Sequence, residues 1–184
     1  MARRNPRVRH QNTIVGKRGL EFAKLDCPMR IISKKTKYCL RALYNLARDY
    51  GHGAVLVQKI ADEEVIPKKF LELILLTAKA GGLVDSKPGR GGGYHLTKAP
   101  ELITVGQVIR LMEGPLAPLP CASESAYRKC EECVDEKTCG TRIVMKRVRD
   151  ATAQILDQTT LADVCHMVSK LKENPGEPDP MYFI

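Results

Sequence analysis

Four cysteines crowd into the stretch "CASESAYRKCEECVDEKTC", at Cys121, Cys130, Cys133 and Cys139. Their spacing is Cys-x8-Cys-x2-Cys-x5-Cys, in a segment with too few apolar residues to bury them as ordinary core. Thiolates joined by short, flexible connections can converge on one soft metal centre, so the pattern points to an iron-sulfur cluster or to zinc. Spacing alone does not choose between the two. The chain has seven cysteines in all, and its N-terminus lacks the apolar stretch of a secretory signal. A cytoplasmic, reducing setting is therefore expected, in which clustered thiols bind metal or do redox chemistry instead of forming a disulfide framework. The other three look separate from the cluster. Cys39 and Cys165 lie on apolar helical stripes and suit small core positions, and Cys27 stands alone near the N-terminus. A redox-catalytic use of the thiols would want Cys-x-x-Cys opening a helix within a βαβ unit, a context this chain lacks. With no nucleophile and base brought together either, the expectation is a protein that is not an enzyme, and a cysteine-based redox enzyme is the alternative.

The elements around the cysteines can be read from periodicity. Before them, "ITVGQVIRLME" has Val105, Val108, Ile109 and Met112 at helical spacing and stops at Gly114-Pro115. After them, a long helix runs from Gly140 to about Gln158, with Val144, Val148, Ala151 and Ile155 at alternating gaps of four and three. That narrow seam suits packing against a partner helix, and a twofold homodimer is the commonest way to supply one. A last helix follows Thr160 to Lys172, and residues 173–184 read as a flexible tail.

Charge divides the chain. The formal net charge is +9: residues 1–28 hold 7 Lys/Arg against 2 Asp/Glu, residues 29–100 hold 13 against 6, and residues 101–184 hold 10 against 13. A basic front half concentrates polyanions on its side of the molecule. Residues 1–28 read as a flexible basic arm; an organellar transit peptide, or a biological start at Met29, are the other readings of that stretch. No run approaches the roughly 20 apolar residues of a membrane span.

In that basic half, Cys39, Ala42, Leu43, Leu46, Ala47 and Tyr50 form the stripe of an amphipathic helix between Lys34 and Tyr50, stopped by Gly51 and Gly53. A short helix across "LVQKIADEE" and a third starting at Pro67, lined by Phe70, Leu71, Ile74, Leu75 and Ala78, outline a helix-turn-helix. Gly81-Gly82 ends the third helix, and "LVDSKPGRGGGYHL" then reads as strand, turn, strand. The glycines do not make a dinucleotide cradle: counting from Gly89 the sixth position is Tyr94, and a strand follows where a helix is needed. A hairpin after a helix-turn-helix is a wing, whose glycines let backbone N–H groups approach phosphate while Lys87 and Arg90 supply charge.

The segments "MRIISKKTKYCLRALYNLA", "IADEEVIPKKFLELIL", "GGLVDSKPGRGGGYHL" and "ITVGQVIRLMEGPLAP" resemble, in order, those of the IscR/NsrR/CymR family of bacterial winged-helix transcription regulators, and "LDQTTLADV" resembles the family's ending. The resemblance spans about residues 29–170. It implies a mainly α fold with a small β-hairpin wing, comprising a winged helix-turn-helix domain at 29–100, a linking helix and cysteine-rich cluster loop at 101–139, and a dimerisation helix and terminal helix at 140–172. It also implies double-stranded DNA as partner. The third helix would enter the major groove, with Glu72 reading a base and Lys68 and Lys69 on phosphate. Lys34, Lys37, Phe70, Lys87, Arg90, Gly91, Gly92 and Tyr94 complete the DNA-facing set, Tyr94 being equally suited to packing against the third helix. The family's cluster-binding members carry three cysteines here, matched by Cys121, Cys133 and Cys139. Where one branch has a histidine ligand three residues later, this chain has Arg142, and the additional Cys130 could complete an all-thiolate set favouring a low-potential cluster. The implied function is a dimeric DNA-binding transcription regulator whose operator affinity is set by a 2Fe-2S or 4Fe-4S cluster. Two further readings keep the fold: a structural zinc or no metal at the cysteines, or a winged helix that engages protein instead of DNA.

Overall fold

The computed structural model describes residues 32–174. The arm expected at residues 1–28, with Cys27, and the tail beyond residue 174 lie outside the described residues. Helix α1 is Lys34–Arg48, entered through Ser33, whose hydroxyl accepts from the Thr36 N–H at 3.3 Å. Its stripe turns Cys39, Ala42, Leu43 and Leu46 fully inward. The helix stops earlier than the stripe suggests: Tyr50 lies beyond Arg48 and is 45% exposed, in a turn where Gly51 and Gly53 take φ of 85° and 103°. Helix α2 is Val57–Glu63 and α3 is Lys68–Ala80, with Pro67 at the entry to α3, where its missing N–H has no helical partner to lose.

Strands β1 (Val84–Lys87) and β2 (Gly93–Leu96) form the hairpin, antiparallel in the register Val84 to Leu96 and Lys87 to Gly93. A distant residue extends it. Val55 and Tyr94 exchange both backbone hydrogen bonds at 2.8 Å, which pins the base of the wing to the loop between α1 and α2.

Helix α4 is Val105–Glu113, α5 is Gly140–Gln158 and α6 is Leu161–Glu173. Thr104 with Gln107, and Thr160 with Asp163, make capping boxes that start α4 and α6 where two orphan N–H groups find side-chain acceptors. The two starts are tied together: the Val105 N–H donates to the Thr159 carbonyl and the Leu161 N–H to the Ile103 carbonyl, both at 2.9 Å. Leu161 thereby enters the same core as α1 and α3 with no exposure at all. Helices α3, α4 and α6 all pack on α1, which is the hub of the molecule. Helix α5 lies along α4 and the short turn Pro120–Ala122, yet none of its residues is buried. Among the described residues, no helix is long and apolar enough to cross a membrane.

Candidate nucleic-acid interface and cysteine loop

The helix-turn-helix is held by one half-buried carboxylate. Glu64, at the end of α2, accepts from Arg48 Nη2 at 2.8 Å, from Asn45 Nδ2 at 3.2 Å and from Arg41 Nε at 3.4 Å, and Arg41 also donates to the Glu64 carbonyl. Three side chains of α1 thus fix the turn from which α3 departs. Within that turn Val65 has φ of 50°, a conformation that crowds its β-branched side chain. Helix α3 then buries Leu71, Ile74, Leu75 and Ala78 and turns Lys68, Lys69 and part of Glu72 outward. Phe70 is 37% exposed and meets the Tyr38 ring edge-on at 5.8 Å, with Lys34 above the same ring at 5.7 Å. That contact brings the starts of α1 and α3 side by side.

Lys34, Lys37, Lys68, Lys69, Lys87 and Arg90 are all exposed, and none joins an ion pair among the described residues. Lys79 behaves differently: it reaches Asp85 at 2.8 Å and Ser86 Oγ at 2.6 Å, bracing the wing against α3. The glycines divide by role as well. Gly91 is exposed, with φ of 78° at the tip. A Cβ on Gly92 would strike the Lys87 carbonyl, and one on Gly93 the Val55 carbonyl, so these two are required by the chain's own close backbone contacts. Tyr94 is partly buried and packs against the core.

The four clustered cysteines sit at different depths. Cys121 is buried in the Pro120–Ala122 turn, Cys130 is exposed, and Cys133 and Cys139 are half-buried. Cys133 and Cys139 are in hydrogen-bonding contact, and the Cys133 N–H donates to the Cys130 carbonyl at 3.3 Å. Cys139 is the N-cap of α5, where the backbone N–H groups of Arg142 and Thr141 face its sulfur and hold its thiol below the ordinary range. Cys133 is pushed up, first by desolvation and then by its hydrogen bond to Cys139. Soft donors therefore gather on one loop, with the Cys139 thiol the more readily ionised of the Cys133 and Cys139 pair. Among the described residues, no three His, Cys, Asp or Glu side chains form a ready-made metal group. The donor set fits a thiophilic metal, and closing a coordination shell would require the loop to draw in. Cys39 is unrelated to this loop: it has no exposure, and burial pushes its thiol up to about 12. Cys165 is half-buried on α6, its sulfur 3.7 Å from the Tyr44 carbonyl.

Two arginines of α5 hold the loop. Arg142 donates from Nε to the Cys121 carbonyl at 2.9 Å and from Nη1 to the Glu136 carbonyl at 3.3 Å, and its guanidinium lies over the Tyr127 ring at 5.9 Å. Two turns further along, Arg149 donates to the Ala122 carbonyl and reaches Glu124 at 3.0 Å.

A family pattern described as Rrf2, iron-dependent transcriptional regulator, matches residues 32–167. The chain belongs to the Rrf2 family. It is 42% identical over 137 residues to a protein named as an rrf2-like HTH-type transcriptional regulator from Rhodobacter capsulatus, covering 73% of this chain and 91% of the relative. It is 33% identical over 133 residues to the HTH-type transcriptional regulator NsrR of Bacillus licheniformis, covering 72% and 90%. Among solved structures, CymR (YrzC), the global cysteine regulator of B. subtilis, aligns with a TM-score of 0.63 at 33% identity, over 74% of this chain and 96% of that one. T. potens IscR aligns with a TM-score of 0.59 at 30% identity, over 83% and 96%.

This Rrf2-family transcription regulator thus has the expected mainly helical fold with a two-stranded wing. Periodicity did not disclose the Glu64 clamp, the Arg142 and Arg149 contacts, or Glu113. Glu113 ends α4 and accepts from the Ser33 N–H at 2.7 Å and from the Thr36 hydroxyl at the start of α1. Burial pushes the Glu113 carboxyl up, but the hydrogen bonds from Ser33 and Thr36 and the nearby Lys35 charge together carry it below the usual range. The only signal in the sequence was a polar residue at an otherwise amphipathic helix end, which is too common to single out.

Proposed function

We propose that this regulator is a homodimer that binds double-stranded DNA with an affinity set by an iron-sulfur cluster on Cys121, Cys130, Cys133 and Cys139. The observation that carries the reading is the attachment of the thiol loop to α5. Arg142 and Arg149 bond the carbonyls of Cys121 and Ala122 to a helix whose seam residues Val144, Val148 and Ile155 are 52%, 43% and 61% exposed. An apolar seam of that kind is suited to an identical helix of a second copy. When bound, the cluster would supply a redox-active, oxygen- and ligand-sensitive iron centre.

What the chain's own residues do follows from linkage. Helix α5 is bonded to α4 through Arg110 Nη2 and Asp157 Oδ2 at 2.8 Å, and α4 to α1 through Glu113 and Ser33. A loop conformation that prefers one arrangement of α5 therefore biases the separation of two α3 helices in a dimer. DNA affinity shifts by that same preference, about 5- to 150-fold for typical couplings. In the complex Lys34, Lys37, Lys68, Lys69, Lys87 and Arg90 lie on phosphates with the Gly91 backbone, the buried Gly92, its N–H bonded to the Gly89 carbonyl at 2.9 Å, shapes the tip from within, Phe70 and Tyr94 shape the contact, and Glu72 accepts from a base such as cytosine N4.

The test is an absorption spectrum with iron and sulfide analysis on anaerobically isolated protein, paired with binding to DNA fragments recovered from a genomic pool. A brown protein with iron and sulfide, whose DNA affinity changes on cluster loss, is expected. Colourless protein containing zinc would make the loop a scaffold. Serine variants of the four thiols that bind DNA as the parent does would end the sensing reading.

A further inference from the structure

Helix α3 has apolar residues on both sides. The inward side is complete without Leu73 and Leu76: Leu71, Ile74, Leu75 and Ala78 are all at 1% exposure or less. Leu73 and Leu76 point the other way, at 62% and 55% exposed, one turn apart on the same face. With Lys69 and Glu72 they make the outward stripe of α3, so this face offers one cation, one carboxylate and two leucines.

We propose that Leu73 and Leu76 read thymine methyl groups in the major groove, an assignment that rests on α3 being the DNA-reading helix. A leucine has nothing to offer a phosphate or a base heteroatom, and the one apolar group that the major groove presents is the C5 methyl of thymine. The surroundings favour DNA as the occupant. Lys68 and Lys69, exposed and without an ion pair among the described residues, precede the leucines on the same helix. Their attraction to phosphate presses the helix into the groove and its leucines toward the base edges. Glu72 and the two leucines then specify different things: the carboxylate selects a base that donates, and the leucines select bases that carry a methyl group. A target rich in thymine beside a cytosine contact is the expected preference.

The experiment uses the full chain, isolated anaerobically, and a duplex selected by it from a randomised pool. Each thymine of the selected duplex is replaced in turn by deoxyuracil, which deletes the methyl and leaves the hydrogen-bonding groups unchanged. Affinity is expected to fall about 4-fold at one or two positions in each half-site. Leu73→Ala and Leu76→Ala should each become indifferent to uracil at one of those positions while keeping the parent's melting temperature. A flat uracil scan with the parent chain would overturn the assignment, as would sensitivity that survives in both variants. So would a change of sedimentation in Leu73→Ala, which would give the face to a second copy. If no duplex is selected at all, the DNA-reading role of α3 fails first and the leucine assignment with it.

Discussion

Helix α3 is anchored along its whole inner side, whereas no residue from Glu124 to Thr160, through the cysteine loop and all of α5, is buried. The front of the molecule takes its shape from a continuous apolar core that reaches from Cys39 to Leu161. The back takes its shape from a few directed hydrogen bonds, chiefly those of Arg142 and Arg149. Packing of the first kind gives a surface that holds its geometry without help. Contacts of the second kind are individually weak and leave a loop freer to rearrange. The proposed reading surface would need the former, and the proposed responsive loop the latter.

The contrast can be broken most forcefully at Leu71. Leu71→Ala opens a cavity under α3 and is expected to cost about 2 to 5 kcal/mol in denaturant unfolding; Cys133→Ser, in the half-buried loop, should leave the midpoint of metal-free protein unchanged. Within the front half, Glu72→Ala should relax selectivity at one base pair by about 1 to 3 kcal/mol, measured over a panel of duplexes. Lys69→Ala should instead weaken every duplex alike and flatten the salt dependence. In the back half the Arg149 side chain is only 11% exposed. Arg149→Ala should destabilise the loop by about 1 to 2 kcal/mol, seen as faster amide exchange around residues 121–136 with α3 still protected. If α3 loses protection equally, the two halves are one cooperative unit.

Smaller effects sharpen the same boundary. Val65→Gly relieves a β-branched residue at φ of 50° and should raise the melting temperature of the front half, by about 1 kcal/mol in stability. Asp157 is held below the ordinary carboxylate range by its hydrogen bond from Arg110. A depressed folded value means that its contribution is present above the unfolded pKa and disappears as pH falls through the folded one. With the Asp157 side chain 43% exposed, solvent screening limits the effect to about 1 kcal/mol or less. Asp157→Asn should remove that part of the acid sensitivity in a pH series of unfolding curves.

Much of the architecture could be read without coordinates, because the signals are local. Gly140 opens α5, Gly114 closes α4 and Thr160 caps α6, each acting on residues within one turn of itself. The exposed condition of Val144, Val148 and Ile155 also follows from a seam too narrow to serve a globular core. Tyr50 shows the limit: its place in the stripe fitted a helix, but the glycines after it had already turned the chain. On α3 periodicity did pick the covered side, Leu71, Ile74, Leu75 and Ala78, but it carries no word on what meets Leu73 and Leu76 on the other.

The cysteine spacing, the helical stripes and the glycine-rich hairpin were contained in the order of residues, where each depends on neighbours a few positions away. The depth of Cys121 against the exposure of Cys130, the need for glycine at position 93 beside Val55, and the partners of Glu64, Glu113 and Arg142 came only with docking of distant segments. Those partners lie far along the chain, and a hydrogen bond between them exists only once burial around α1 has brought their backbones within reach.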